Sequence, residues 1–133
     1  MNITTPAMFR IDHVMLPVAN IERAIAFYTS LFAMKVVESG ADAKRKKAHL
    51  GFGARGEQAT LELIETFGVT QAAPSSCCGH FCLHMSGVTA LCDRLESAGG
   101  SFDRPLERIH GEVRRAWVRD PDGHLIEMSE ATL

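Results

Sequence analysis

Ile11 to Val18 is a short apolar run closed by Pro17 and Asn20, the pattern of a buried strand. Asn20 is placed to cap a helix, and Ile21, Ala24, Ile25, Tyr28, Leu31 and Phe32 then recur at spacings that gather them on one helical face. Met34 to Glu38 is rich in strand formers. The segment Gly40 to Lys47 reads as a loop, followed by strands at Ala48–Phe52 and Ala59–Glu65 on either side of the turn-prone Gly53-Ala54-Arg55-Gly56. The predicted order is strand, helix and three strands.

The second half repeats it. His80 to Met85 reads as a strand, and Val88, Leu91, Cys92, Leu95 and Ala98 trace a helical face that stops at Gly99-Gly100. Ser101 to Asp103 reads as a short strand and Glu112 to Arg119 as a longer one. Asp120-Pro121-Asp122-Gly123 is a tight turn before a last strand, His124 to Ser129. Overlaying the halves at a shift of 67 residues aligns His13 with His80, Ala24 with Leu91 and Tyr28 with Leu95, and Glu62 meets Glu127 at a shift of 65. An internal duplication therefore organises the chain.

A length of 133 residues suits one compact domain, and 46% hydrophobic with 23% charged residues is the composition of a chain that builds a packed core. A formal charge of -2 gives no overall field toward nucleic acid or an acidic membrane. The basic run Lys44-Arg45-Lys46-Lys47 has no aromatic residues interleaved and reads as a solvated loop rather than an anion patch. The first ten residues lack the features of a signal peptide, which makes a cytoplasmic location the expectation. Thr66 to Cys92 lacks Asp, Glu, Lys and Arg, but Gln71, Pro74, His80 and His84 exclude it as a lipid-facing helix. Cys77, Cys78, Cys82 and Cys92 read as reduced thiols; no second Cys-x-x-Cys pair completes a closed zinc site.

Each half supplies a histidine early in its first strand and a glutamate in its last: His13 with Glu62, and His80 with Glu127. Both glutamates sit in apolar strands, where a lone carboxylate carries a large desolvation cost that a cation in the same cavity would offset. Two imidazoles and two carboxylates suit a borderline divalent ion and leave coordination positions for water or substrate. His49, His84, His110 and His124 have no counterpart in the other half and read as structural or surface residues, and Cys82 as a small core hydrophobe.

Asp12-His13-Val14-Met15-Leu16, Ile21 to Tyr28, Gly79-His80-Phe81 and Asp120 to Glu127 together resemble the vicinal oxygen chelate superfamily, over nearly the whole chain. Within it glyoxalase I is most similar, because its four metal ligands fall on His13, Glu62, His80 and Glu127; Glu62 discriminates against extradiol dioxygenases, fosfomycin-resistance transferases and methylmalonyl-CoA epimerase. The resemblance implies an α+β fold of two βαβββ modules forming half-open barrels, about residues 10–66 and 79–130 of a single domain. It further implies one divalent metal per site, Ni2+ or Zn2+, and a homodimer in which His13 and Glu62 of one chain meet His80 and Glu127 of the other. The implied reaction is isomerisation of a 2-oxoaldehyde–thiol hemithioacetal through an enediolate, with Glu127 as the first candidate base and Glu62 the second. Alternatives are another enzyme of the superfamily, or a metal-free drug-sequestering protein, which has no use for buried carboxylates. Two departures bear on the thiol: Pro17 and Thr66 stand where glyoxalase I usually has Arg and Asn, leaving Arg114, Arg115 and Arg119 as candidate anion contacts.

Overall fold

A computed structural model describes residues 9–70 and 80–130. The chain divides into two compact units, the first ending at Val69 and the second beginning at Thr70.

The first unit comprises β1 (His13–Pro17), α1 (Ile21–Phe32), β2 (Lys35–Ala41), β3 (Arg45–Gly51) and β4 (Thr60–Thr66). Its sheet runs β1-β4-β3-β2, with β1 parallel to β4 and the other pairs antiparallel. The helix starts where expected: the Asn20 side chain accepts the Arg23 N–H at 2.9 Å. Its apolar stripe, Ile21, Ala24, Tyr28 and Phe32, is buried, as are Leu16, Ala48, Leu50, Leu61 and Leu63 of the sheet, so one sheet face is the core. Alternation along each strand leaves the opposite face for polar groups.

The second unit repeats the plan with β5 (Phe81–Met85), α2 (Val88–Ser97), β6 (Glu107–Ile109), β7 (Glu112–Arg119) and β8 (Leu125–Glu130), ordered β5-β8-β7-β6. Val88, Leu91 and Cys92 of α2 are buried together with Ala116, Val118, Ile126 and Met128 of the sheet. The Asp120 carboxylate closes the expected turn by accepting the Asp122 and His124 N–H groups at 2.9 and 2.8 Å.

Two sequence expectations change. The loop expected over Gly40–Lys47 is a tight hairpin, because the Asp42 carboxylate accepts the Lys44 and Arg45 N–H groups and β3 begins at Arg45. The short strand expected at Ser101–Asp103 lies instead at Glu107–Ile109; Asp103 makes a backbone bond to Trp117 but no ladder. Cys77 and Cys78 lie outside the described residues. Among the described residues no helix is long and apolar enough to cross a membrane.

The duplication extends to helix capping. Glu65 accepts the Ile21 N–H at 2.8 Å, while Glu130 accepts the Gly87 and Val88 N–H groups at 3.1 and 2.8 Å. Each last strand thus closes the N-terminus of its own helix, where the donors are otherwise unpaired. These bonds hold the Glu130 carboxyl below the ordinary value of 4.5. A carboxyl depressed by folding stabilises above its unfolded pKa and loses that contribution as pH falls through its folded value. Glu130→Ala is therefore expected to cost about 1 kcal/mol at neutral pH, measured by urea unfolding, with the gap to wild type closing as the solution is acidified.

Candidate functional site

On the face of the first sheet opposite its core, His13 lies across from Thr60 and Met15 across from Glu62. Because β1 and β4 are parallel, the ring of His13 reaches forward to the carboxylate one step along, with Nε2 at 3.5 Å from Glu62 Oε1. The Asp12 carboxylate accepts from Nδ1 of His13 at 2.6 Å, and the Arg55 guanidinium grips Asp12 at 3.0 and 2.8 Å. The bonds from Arg55 and His13 hold Asp12 far below the usual carboxylate range. A histidine whose Nδ1–H is fixed by a carboxylate offers Nε2 as a ligand in a defined orientation.

The second unit repeats the register: Cys82 lies across from Glu127, and His80 Nε2 is 3.2 Å from Glu127 Oε1. Cys82 is exposed rather than part of the core, since it shares its strand face with Glu127, to whose Oε2 its thiol donates at 3.2 Å. Burial, then the bond to Glu127 and its charge, push the Cys82 thiol up to about 11. Burial also raises the Glu127 carboxyl, but the Cys82 bond, the Arg115 guanidinium and His80 outweigh it, so Glu127 lies below the ordinary value and is ionised at neutral pH.

His49, read from the sequence as structural or surface, lies beside Glu62. It is 7% exposed, sits across from Glu62 in the β3–β4 ladder, and places Nε2 at 3.1 Å from Glu62 Oε2 while Nδ1 meets Thr60 Oγ1 at 2.8 Å. Glu62, 9% exposed, is thus flanked by two imidazoles. Trp117 occupies the matching position across from Glu127. Of the other histidines, His124 is buried at the Asp120 turn, His84 is exposed, and His110 lies in the β6–β7 turn with φ 52°. Among the anion candidates, Arg115 reaches Glu127 at 3.7 Å, whereas Arg119 is committed to Asp103 at 2.8 Å. Arg115 also lies over the Trp117 ring.

The donor sets fit a divalent ion. Neighbouring ligands bound at about 2.1 Å on a six-coordinate ion are about 3 Å apart, close to the His13–Glu62 and His80–Glu127 separations of 3.5 and 3.2 Å. Among the described residues no cluster of three or more His, Cys, Asp or Glu suited to a metal forms. Each unit brings one of the expected histidines to one of the expected glutamates, His13 to Glu62 and His80 to Glu127.

Two βαβββ units of matching register each present a His/Glu pair on the polar sheet face, a scaffold built by duplication. The chain belongs to the Glyoxalase/Bleomycin resistance protein/Dioxygenase superfamily, whose description matches residues 10–128. It is 34% identical to the lactoylglutathione lyase of Salmonella typhimurium over 125 residues, covering 92% of this chain and 93% of that protein. A probable lactoylglutathione lyase of Vibrio cholerae is 32% identical over 122 residues, covering 90% of this chain and 88% of the relative. Among solved structures, the trypanothione-dependent glyoxalase I of Leishmania major superposes with a TM-score of 0.82 at 30% identity, over 92% of this chain and 87% of that one.

Proposed function

We propose that the protein is a glyoxalase I-like lyase that isomerises the hemithioacetal of a 2-oxoaldehyde and a thiol, using a divalent metal, Ni2+ or Zn2+, held by His13, Glu62, His80 and Glu127. The observation that carries this reading is the recurrence of one His/Glu pair at the same register in both units. The similarity to lactoylglutathione lyases supports the reaction class.

The metal, when bound, would supply positive charge to the two vicinal oxygens of the substrate. In this reading Glu127 takes the proton from the carbon that bears sulfur and returns it to the neighbouring carbonyl carbon. The hydroxyl proton passes between the two oxygens, so the thiohemiacetal becomes a 2-hydroxy thioester with no net gain or loss. The Cys82 thiol and then the Arg115 guanidinium favour the charged form of Glu127, and both approach its second oxygen. Proton transfer by a positioned group contributes ~10²–10⁴-fold. Glu62, between His13 and His49, is the second candidate base.

The resemblance to glyoxalase I extends the reading to a homodimer, in which His13 and Glu62 of one chain would complete the site with His80 and Glu127 of its partner. Nickel-loaded protein is expected to convert the methylglyoxal hemithioacetal to thioester and to sediment as a dimer at micromolar concentration. A monomer that still holds metal would contradict the shared site. Absence of thioester from every hemithioacetal, with oxygen uptake on a catechol in the presence of iron(II), would assign the chain to dioxygenase chemistry instead.

A further inference from the structure

We propose that His49 is a positioning residue for Glu62, occupying its Oε2 so that Oε1 is left toward a metal; the inference rests on the reading of Glu62 as a ligand. Two imidazoles meet this carboxylate, each at its own oxygen: His13 Nε2 lies 3.5 Å from Oε1 and His49 Nε2 lies 3.1 Å from Oε2. Their rings stand edge to face, with centroids 5.3 Å apart and planes at 86°. What separates the two is the partner of the other ring nitrogen. Nδ1 of His13 donates to Asp12 at 2.6 Å, which in the neutral ring, the form that binds metals, leaves Nε2 open as a ligand. Nδ1 of His49 instead meets the Thr60 hydroxyl at 2.8 Å. A hydroxyl either donates or accepts, whereas a carboxylate only accepts, so the hydrogen of His49 belongs on Nε2, beside Glu62. A nitrogen that carries a hydrogen holds a carboxylate and does not ligate.

The strands build this arrangement. His49 lies across from Glu62 in the β3–β4 ladder, and Thr60, two residues before Glu62 on β4, shares its face. The ring therefore spans both side chains, one nitrogen to each. His49, Thr60 and Glu62 are all buried, so little water competes for these contacts. Glu38 Oε2 lies farther from Nε2, at 3.9 Å, and is held by Arg55 at 2.9 Å. Among the described residues His13, His49 and Glu62 do not converge as a three-donor metal cluster, which agrees with two ligands and a brace rather than three ligands. In the second unit Trp117 takes the position across from the glutamate, and the second oxygen of Glu127 is met by the Cys82 thiol, a weaker donor, from β5. The imidazole brace thus distinguishes Glu62 from its counterpart. Partners that orient a ligand without touching the ion typically contribute 10–100-fold to metal affinity.

Chelator competition for nickel(II) on stripped protein, with urea unfolding of the same metal-free samples, tests the assignment. His49→Phe, which keeps a ring and removes both contacts, is expected to weaken nickel binding about 10–100-fold. His49→Gln, whose amide can still donate toward Glu62, is expected to recover most of that loss, a pattern that a merely structural histidine would not give. Thr60→Val frees the ring from its anchor and is expected to weaken binding by less. Added to His49→Phe it should change nothing further, because both act through one contact. Unchanged affinity in His49→Phe, or no recovery in His49→Gln, would overturn the proposal; the second result, with a loss as large as that of His13→Ala, would make His49 a ligand. If His49→Phe does not fold, Thr60→Val carries the test, and unchanged affinity there overturns the proposal. If the stripped wild type takes up no nickel, or Glu62→Ala takes it up equally well, the ligand reading fails separately. The contact is then read from the ring nitrogen shifts of His49 by NMR on the metal-free protein. A hydrogen on Nε2 whose signal moves in Glu62→Ala supports the brace, and any other result overturns it.

Discussion

Glu127→Gln is expected to keep its metal and lose isomerase activity by a factor on the order of 10² or more. The amide oxygen preserves a neutral ligand at the position that faces His80 at 3.2 Å, so the coordination partner survives while the basic oxygen does not. The thiol of Cys82 and the guanidinium of Arg115 approach the other oxygen, and both suit the amide less well than the carboxylate, so the loss extends to orientation. Metal content by elemental analysis, measured beside kcat on the same preparation, separates the two effects. An inactive variant that had also lost its metal would mean that Glu127 acts as a ligand alone; a fully active one would move the proton transfer to Glu62.

His80→Ala is expected to reduce metal affinity by more than the 10–100-fold typical of removing a partner that only orients a ligand. His110→Ala, in an exposed turn away from the Glu127 register, is expected to retain metal. Between them falls Asp12→Asn, which weakens the brace on His13 Nδ1 without removing a ligand, and a 10–100-fold loss is expected there. Competition with a chromogenic chelator measures all three. Equal affinity in the three variants would show that the ligands lie elsewhere.

Much of the architecture was legible because apolar periodicity and duplication reinforce each other. The Ile21–Phe32 stripe, the Asn20 cap and the Asp120 turn all stand where the residues place them. The His/Glu pairs were legible for the same reason: two halves of one pattern make a chance histidine improbable. His49 was hidden by that very logic, since its counterpart is Trp117, and its closeness to Glu62 depends on the β3–β4 register, which the intervening loop does not disclose. The basic run misled differently. Four consecutive cations mask the alternation by which Lys46 meets α1 while Arg45 and Lys47 share the other face of β3 with His49. The strand at Glu107–Ile109 carried too weak an apolar pattern to read, all three residues being exposed.

Metal titration of stripped protein, with bound ion and thioester formation followed together, tests the central claim most directly. Activity is predicted to rise in step with bound nickel(II) and to level off at about one ion per chain, as two equivalent sites in a twofold dimer require. Full isomerase activity in the stripped protein, unchanged as the ion is added, would contradict it.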